Sequence, residues 1–391
     1  MKSFIQGAKE IEEYLIATRR YLHQHPELES DLPKTTKFVK QKLIEIGCIP
    51  EEICKSGIVA TIGRKKTGKT ILLRADMDAL PMQEESGLEF ESQHPGIAHT
   101  CGHDIHTTFL IGAAKLLKER ENEIEGTIKL MFQPGEESLT GATDMIKAGV
   151  LETPKVDCAV GIHVQPLLPL KHLNYPKGPF LASTDILKIT VQGESCHASQ
   201  PHLGIDPINV AAHIILSLQS LQTKAVPVNE AVVLNICEVK SGNTSNIVPE
   251  QAILTGTLRT YNPTLRKKII EQCKKLVELT AEAFNATAKL EILESCPSAI
   301  NDENLVEDIQ KYIPNLGIDF VTDPNYRMQV SDDFGFISEL VPSVLFIIGC
   351  KPEEKHTSHN HNSKVIYNED VLHIGAALFA ECAFNWLKDK K

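Results

Sequence analysis

Three short apolar runs, at 71–73, 128–132 and 158–162, each end in acids, amides or a histidine rather than in an ordinary surface turn. The first leads into Arg74-Ala75-Asp76-Met77-Asp78, the second into Gln133-Pro134-Gly135-Glu136-Glu137 and the third into His163. Short runs of this kind read as strands buried on both faces, and a stretch with helical spacing, 107–118, lies between the first two. Strands alternating with helices imply an α/β fold with a mainly parallel sheet and helices on both faces. In such open sheets functional groups gather beyond the carboxyl ends of the strands, which is where these polar clusters fall.

The flanks follow the same logic. The spacing of Ile11, Leu15 and Leu22 predicts a helix over 11–25, ended by Pro26, and a second helix is expected over 35–46, stopping at Gly47. The rhythm then changes in the middle of the chain. Strand 186–191, helix 207–221, strands 232–239 and 252–258, helix 263–284 and strand 288–293 spell β-α-β-β-α-β, the ferredoxin-like split-βαβ module. Alternation resumes with a strand at 344–348 and a helix at 371–386, so the module reads as an insertion. At 391 residues the chain exceeds one ordinary core. The expected division is a discontinuous first domain, 1–183 with 296–391, around an inserted domain, 184–295.

Charge and composition narrow the partners. A formal net charge of −11 argues against nucleic acid, which needs clustered Lys and Arg, and the basic stretches at 64–66 and 388–391 read as solvated surface. No run of about 18 apolar residues exists to span a membrane. The segment 1–13 is too charged for the apolar core of a secretory signal. The ten cysteines are scattered, with no Cys-x-x-Cys pair, which suits small buried hydrophobes in a reducing cytoplasm.

The densest polar group is His99-Thr100-Cys101-Gly102-His103-Asp104-Ile105-His106. A thiolate and an imidazole two residues apart on a loop can converge on a metal, although a lone Cys-x-His also arises by chance. His106, already at the helix start, reads as structural. Tandem glutamates are usually only solvated, but a strand and the Gln133-Pro134-Gly135 turn aim Glu136 and Glu137 at the same sheet end. His163 alone reads equally well as a core histidine. A late loop, 356–362, holds His356, His359 and His361, and spacing alone does not say which reaches a site. A mixed set of Cys, His, Glu, His and His donors suits zinc, manganese, cobalt or nickel. Five ligands exceed the need of one open catalytic ion and suit two ions about 3.5–4 Å apart, with a spare carboxylate as base.

In motif order the chain resembles the metal-dependent aminoacylase and carboxypeptidase superfamily, in the branch of hippurate hydrolases, N-acyl-amino-acid amidohydrolases and auxin-conjugate hydrolases. The resemblance rests on Arg19-Arg20-Tyr21-Leu22-His23-Gln24-His25-Pro26-Glu27-Leu28, the stretches 74–81, 99–106, 132–137 and 161–163, Asp206-Pro207 and Asn246-Ile247-Val248-Pro249. It implies a di-metal exopeptidase-like fold with two divalent ions held by Cys101, His103, Glu137, His163 and His361, and Glu136 as general base. His361 is preferred to His359 because Asn362 and 365–369 match the family segment after its last ligand. Asp76 and Asp78 fall where other branches keep His-x-Asp, which implies support of the ligands rather than ligation. By the same resemblance the inserted module is a lid and dimerisation domain of a homodimer or higher oligomer. Its His197 would polarise the scissile carbonyl, often from the partner subunit, while Asn246 and Arg259 would hold a substrate carboxylate. Ser195 and Cys196 stand where glycines are frequent before that histidine, and His202 belongs to the same loop.

The expected activity is hydrolysis of the amide bond of small N-acyl-L-amino acids. A metallo-carboxypeptidase or dipeptidase acting on short peptides is the alternative, and a catalytically idle metal-binding or interaction protein is the remote one.

Overall fold

The structure is a computed structural model, describing residues 2–63, 68–352 and 357–390. The basic stretch 64–66, His356 and Lys391 lie outside the described residues. The chain divides into two compact units. The first comprises Met1–Phe180, Ala299–Arg327 and Asp332–Lys391; the second comprises Leu181–Ser298 and Met328–Ser331. The second unit therefore takes in three residues more at each end than the expected 184–295, and also the short return segment from Met328.

Four parallel strands form the centre of the first unit: β1 (Thr70–Asp76), β2 (Thr127–Gln133), β3 (Cys158–Gln165) and β4 (Ser343–Gly349), in the spatial order β2-β1-β3-β4. Every residue of β1, β2 and β4 is buried, as continuous apolar runs require when both faces of a parallel sheet are covered. The edges are antiparallel. Glu51–Cys54 and Gly57–Ile62 form a hairpin beside β2, and Leu173–Asn174 pairs with β4. The sequence reading did not include this hairpin: Glu51–Cys54 has four residues and none of them is buried, while Gly57–Ile62 is mostly buried but only six residues long.

The expected helix over 11–25 is α1 (Glu12–Gln24), and a further short helix, Phe4–Glu10, precedes it and meets it at Ile11. Helix α2 (His103–Glu119) begins four residues before the expected 107, directly after Gly102. Gly102 has φ +88°, and a Cβ there would run into Val164, so only glycine makes this turn. Helix α2 and α3 (Val371–Asp389) pack on one face of the sheet, while Gly141–Lys147 and Phe334–Ser338 pack together on the other.

In the second unit the four long strands lie in the order Val232–Ser241, Gln251–Thr260, Thr184–Gln192, Thr287–Cys296, all antiparallel. Two helices, Pro207–Ala225 and Pro263–Glu282, cover one face. Both are capped as their sequences dictate: Asp206 and Asn262 accept the first free amides, and proline follows in the first turn. Strict alternation along Gln251–Thr260 buries Ala252, Leu254 and Leu258 against Val210, Ile214 and Val277.

Candidate metal centre

The carboxyl ends of β1, β2 and β3 meet the turn before α2, and the loop around His361 closes the group. Five residues supply donor atoms there: Cys101, His103, Glu137, His163 and His361. Cys101 Sγ is 3.5 Å from His163 Nε2 and 3.3 Å from His361 Nε2. Glu137 Oε1 is 3.2 Å from His361 Nε2 and 3.9 Å from His103 Nε2. Atoms that share a tetrahedral ion at bonds of 2.0–2.3 Å lie about 3.3–3.8 Å apart; the two Cys101 spacings fall in that range and the two Glu137 spacings lie just outside it on either side. Two triads, Cys101-His103-His163 and Cys101-Glu137-His361, share the thiol, and a further group joins His103 and Glu137 to Glu136. His103 Nε2 and Glu137 Oε1 are buried and make no hydrogen bond, and a cation between such atoms removes the cost of leaving them unpaired.

The tautomers sort the histidines by chemistry. His103 Nδ1 donates to the carbonyl of Asp78 at 2.8 Å, and His163 Nδ1 donates to the carbonyl of Val164 at 2.8 Å. A carbonyl only accepts, so both rings carry their proton on Nδ1 and turn a free Nε2 lone pair toward the site. His106 is opposite in kind. Its Nε2 accepts the N–H of Val164 at 2.9 Å and its Nδ1 donates to Asp76 at 2.6 Å, so no lone pair is left to ligate. His359 is exposed and belongs to none of the donor groups among the described residues. His361 sits in the left-handed region, φ 61°, and its N–H donates to the carbonyl of Thr100 at 2.8 Å. That bond ties the two ligand loops together and holds a conformation that histidine seldom adopts.

Asp78 accepts the amide of Glu136 on Oδ1 and the amide of Glu137 on Oδ2, each at 3.0 Å. One carboxylate thus sets both glutamates, while the carbonyl of the same residue sets His103. Asp76 receives His106 on one oxygen and Arg74 on the other, both at 2.6 Å. Arg74 then extends to Asp333 at 2.7 Å and to Asp332 at 3.1 Å, and Gln133 donates to both oxygens of Asp333 at 2.8 Å. Sequence reading missed Arg74, Gln133, Asp332 and Asp333 as functional supports. Two acids in a polar loop look the same whether solvated or buried; here they are at most 2% exposed.

Glu136 lies against Asp332 and Asp333 with its carboxyl buried. Burial, then the charges of Asp332, Glu137 and Asp333, push that carboxyl well above the usual carboxylate range. Burial likewise pushes the Cys101 thiol up and pulls the His163 imidazolium down. Divalent cations at these donors act in the opposite sense on the acids and the thiol. The His361 side chain is 50% exposed, so the centre opens to solvent on that side.

The remaining expected residues belong to the second unit. His197 pairs with Ile247 in a two-stranded arm, and Ala198 N–H donates to Asn246 O at 3.0 Å, so His197 and Asn246 are neighbours. Arg259 is not with them. It lies near the far end of the strand Gln251–Thr260, eight residues from Gln251, a separation of about 26 Å at 3.3 Å per residue. Its Nη1 donates to the carbonyl of Gln329 at 3.4 Å. Arg259 thus stands at the opposite end of its strand from Gln251, while Asn246 sits beside His197 in the arm.

An α/β sheet whose strand ends present Cys, His and Glu donors beside a free glutamate is the frame of a metal-dependent amidohydrolase. The model of Peptidase family M20/M25/M40 matches residues 72–385, and the chain belongs to that family. It is 34% identical over 384 residues to thermostable carboxypeptidase 2 of Saccharolobus solfataricus, covering 97% of this chain and 96% of the relative. It is also 34% identical over 373 residues to the N-acetylcysteine deacetylase of Bacillus subtilis, covering 94% and 96%. A crystal structure of a dinuclear metal-binding M20 peptidase from Bacillus subtilis superimposes with a TM-score of 0.85 at 32% identity, covering 97% of this chain and 99% of that one.

Proposed function

We propose that the protein hydrolyses the amide bond of N-acyl-L-amino acids, using two divalent ions, zinc or manganese, held by Cys101, His103, Glu137, His163 and His361. The observation that carries this reading is the pair of donor triads sharing Cys101, with Glu136 alongside and outside both. When bound, such ions polarise a carbonyl and make water acidic near neutral pH. Glu136 takes the proton of the attacking water and delivers it to the leaving amine. Asp78 holds Glu136 and Glu137 by their amides, so the base and its neighbouring ligand keep a constant offset. His197 donates to the oxyanion that develops at the scissile carbon.

The position of Arg259 at the opposite end of its strand from Gln251, with His197 and Asn246 together in the arm, supports a homodimer in which one subunit supplies His197 and Asn246 to a site whose Arg259 belongs to the other. We place the protein in the cytoplasm, in keeping with ten free thiols; no described helix is long and apolar enough to cross a membrane. The carboxypeptidase reading is the second one, favoured by the 34% identity to thermostable carboxypeptidase 2. A hydrolysis screen separates them. N-acetyl- and N-benzoyl-amino acids and short peptides are offered to chelated protein with Zn²⁺ or Mn²⁺ restored. Turnover of the acyl amino acids at much higher kcat/KM supports the proposal; preference for the peptides supports the alternative; no metal-dependent turnover of either defeats both.

A further inference from the structure

A second buried polar cluster lies behind the Cys101–Gly102–His103 turn, and none of its members donates to the metal centre. Asp104 follows His103 in the first turn of α2, with its side chain fully buried. Its Oδ2 accepts two bonds, from Arg19 Nε and from His23 Nδ1, each at 2.9 Å. The other ring nitrogen of His23, Nε2, donates to Glu84 Oε1 at 3.0 Å. Each nitrogen of His23 thus faces a carboxylate, so the ring carries both protons and bridges two anions. Arg19 reaches Glu369 at 3.1 Å, and Arg20 closes on Glu369 at 2.6 Å. Three cations, Arg19, Arg20 and His23, meet three carboxylates, Glu84, Asp104 and Glu369.

Such a cluster is a poor source of stability, because desolvating the charges offsets most of their attraction. Its position is more informative. The segment between β1 and α2, residues 77–102, contains no strand or helix, only isolated bridges, and an irregular stretch of that length inside a compact unit must be held at several points. Glu84 is a central one: it also accepts Ser86 Oγ at 2.5 Å and the amide of Ser92 at 2.8 Å. Gln93 N–H donates to Gln24 O at 2.9 Å, and Glu85 N–H donates to Ser363 O at 2.7 Å, two residues after His361. The helix α1 thereby fixes the segment that delivers Cys101 and His103, and α1 does so through His23 at one end and Asp104 at the other.

We propose that Arg19 and His23 are positioning residues of the metal centre, acting through Asp104 and Glu84 to set the turn that presents Cys101 and His103. This rests on the metal-binding reading given above. Neither residue touches a ligand atom; both act by limiting where the first turn of α2 begins. Partners bonded directly to a metal ligand are worth about 10–100-fold in affinity when lost, and residues one step further out act at the lower end of that scale.

The test is calorimetric titration of the metal-stripped full-length protein with Mn²⁺ alone. His23→Gln keeps the size of the side chain but bridges only one carboxylate. It is expected to weaken Mn²⁺ binding by about tenfold. Ile309→Ala, in the buried core of the same unit and outside the cluster, serves as a matched destabilised control and should bind within about twofold of wild type. Arg19→Lys keeps the charge but loses the Nε–H aimed at Asp104, and it stands in should His23→Gln not fold. Unchanged Mn²⁺ affinity in the His23 or Arg19 variant overturns the inference, and so does an equal loss in Ile309→Ala, which would mean general loosening. The wild-type titration separates the two levels: wild-type binding with unaffected variants defeats only the positioning role, whereas no wild-type binding defeats the metal centre itself.

Discussion

Asp78 holds Glu136 through a hydrogen bond from the Glu136 amide to its Oδ1, and no backbone ladder does the same work, because Glu136 lies past the end of β2. The second oxygen serves Glu137. Asp78→Asn turns one of these acceptors into a donor that faces an N–H. The expected result is a fall in kcat of about 10–100-fold with KM little changed, measured at saturating metal. An Asp78→Asn enzyme with wild-type kcat would show that the glutamates hold their places unaided.

Glu136 stands outside both donor triads that share Cys101. Glu136→Gln should therefore keep the wild-type metal content and thermal midpoint while kcat drops by at least ~10²-fold, the scale of a lost general acid–base. Metal analysis and steady-state kinetics on one preparation decide the point. Retained turnover in a metal-replete sample removes Glu136 from the role of base.

Cys101 belongs to both triads, so its loss should be felt by both ions rather than one. Cys101→Ala is expected to lower metal stoichiometry below that of His163→Ala, which belongs to a single triad. Equal stoichiometries by elemental analysis would show that the thiol is not shared.

The placement of Asn246 and Arg259 makes a prediction about subunits. Homodimers of Glu136→Gln and of His197→Ala should each be nearly inactive. After subunit exchange, random pairing leaves half the dimers as hybrids with one intact site of two, which restores roughly a quarter of wild-type activity. No recovery, with exchange verified by mass spectrometry, would mean that each chain completes its own site.

Lys129 offers a test in stability rather than activity. Its side chain is buried, and Nζ donates to the carbonyls of Val150 at 2.7 Å and Pro154 at 2.8 Å. Burial pulls its pKa down from 10.5 to about 8. Between those values the unfolded chain still holds a proton that the folded chain has released, so this group makes stability rise with pH. Below that window both states are protonated and the contribution is flat. Urea unfolding from neutral pH to pH 10 should show wild type gaining on Lys129→Met as pH rises; parallel profiles would assign the pH dependence elsewhere.

Local pattern alone determined the buried strands leading into Asp76, Gln133 and His163, although the third runs on to Gln165, together with the helix-flanking turn Cys101-Gly102-His103 and the β-α-β-β-α-β insertion. Continuous apolar runs, period-2 alternation, and prolines and glycines at element ends act over a few residues, so they are legible without a structure. The hairpin Glu51–Ile62 was not, since a four-residue strand with no buried residue and a six-residue partner carry little pattern. Tertiary structure alone decided which lone pairs face the centre. His103, His106 and His163 are chemically alike, and their bonds to Asp78 O, Val164 N and Val164 O show that His103 and His163 keep an Nε2 lone pair toward the centre while His106 does not. It also decided that Arg74 meets Asp332 and Asp333 across about 258 residues of chain. Such contacts depend on how distant segments pack, and no local spacing encodes that.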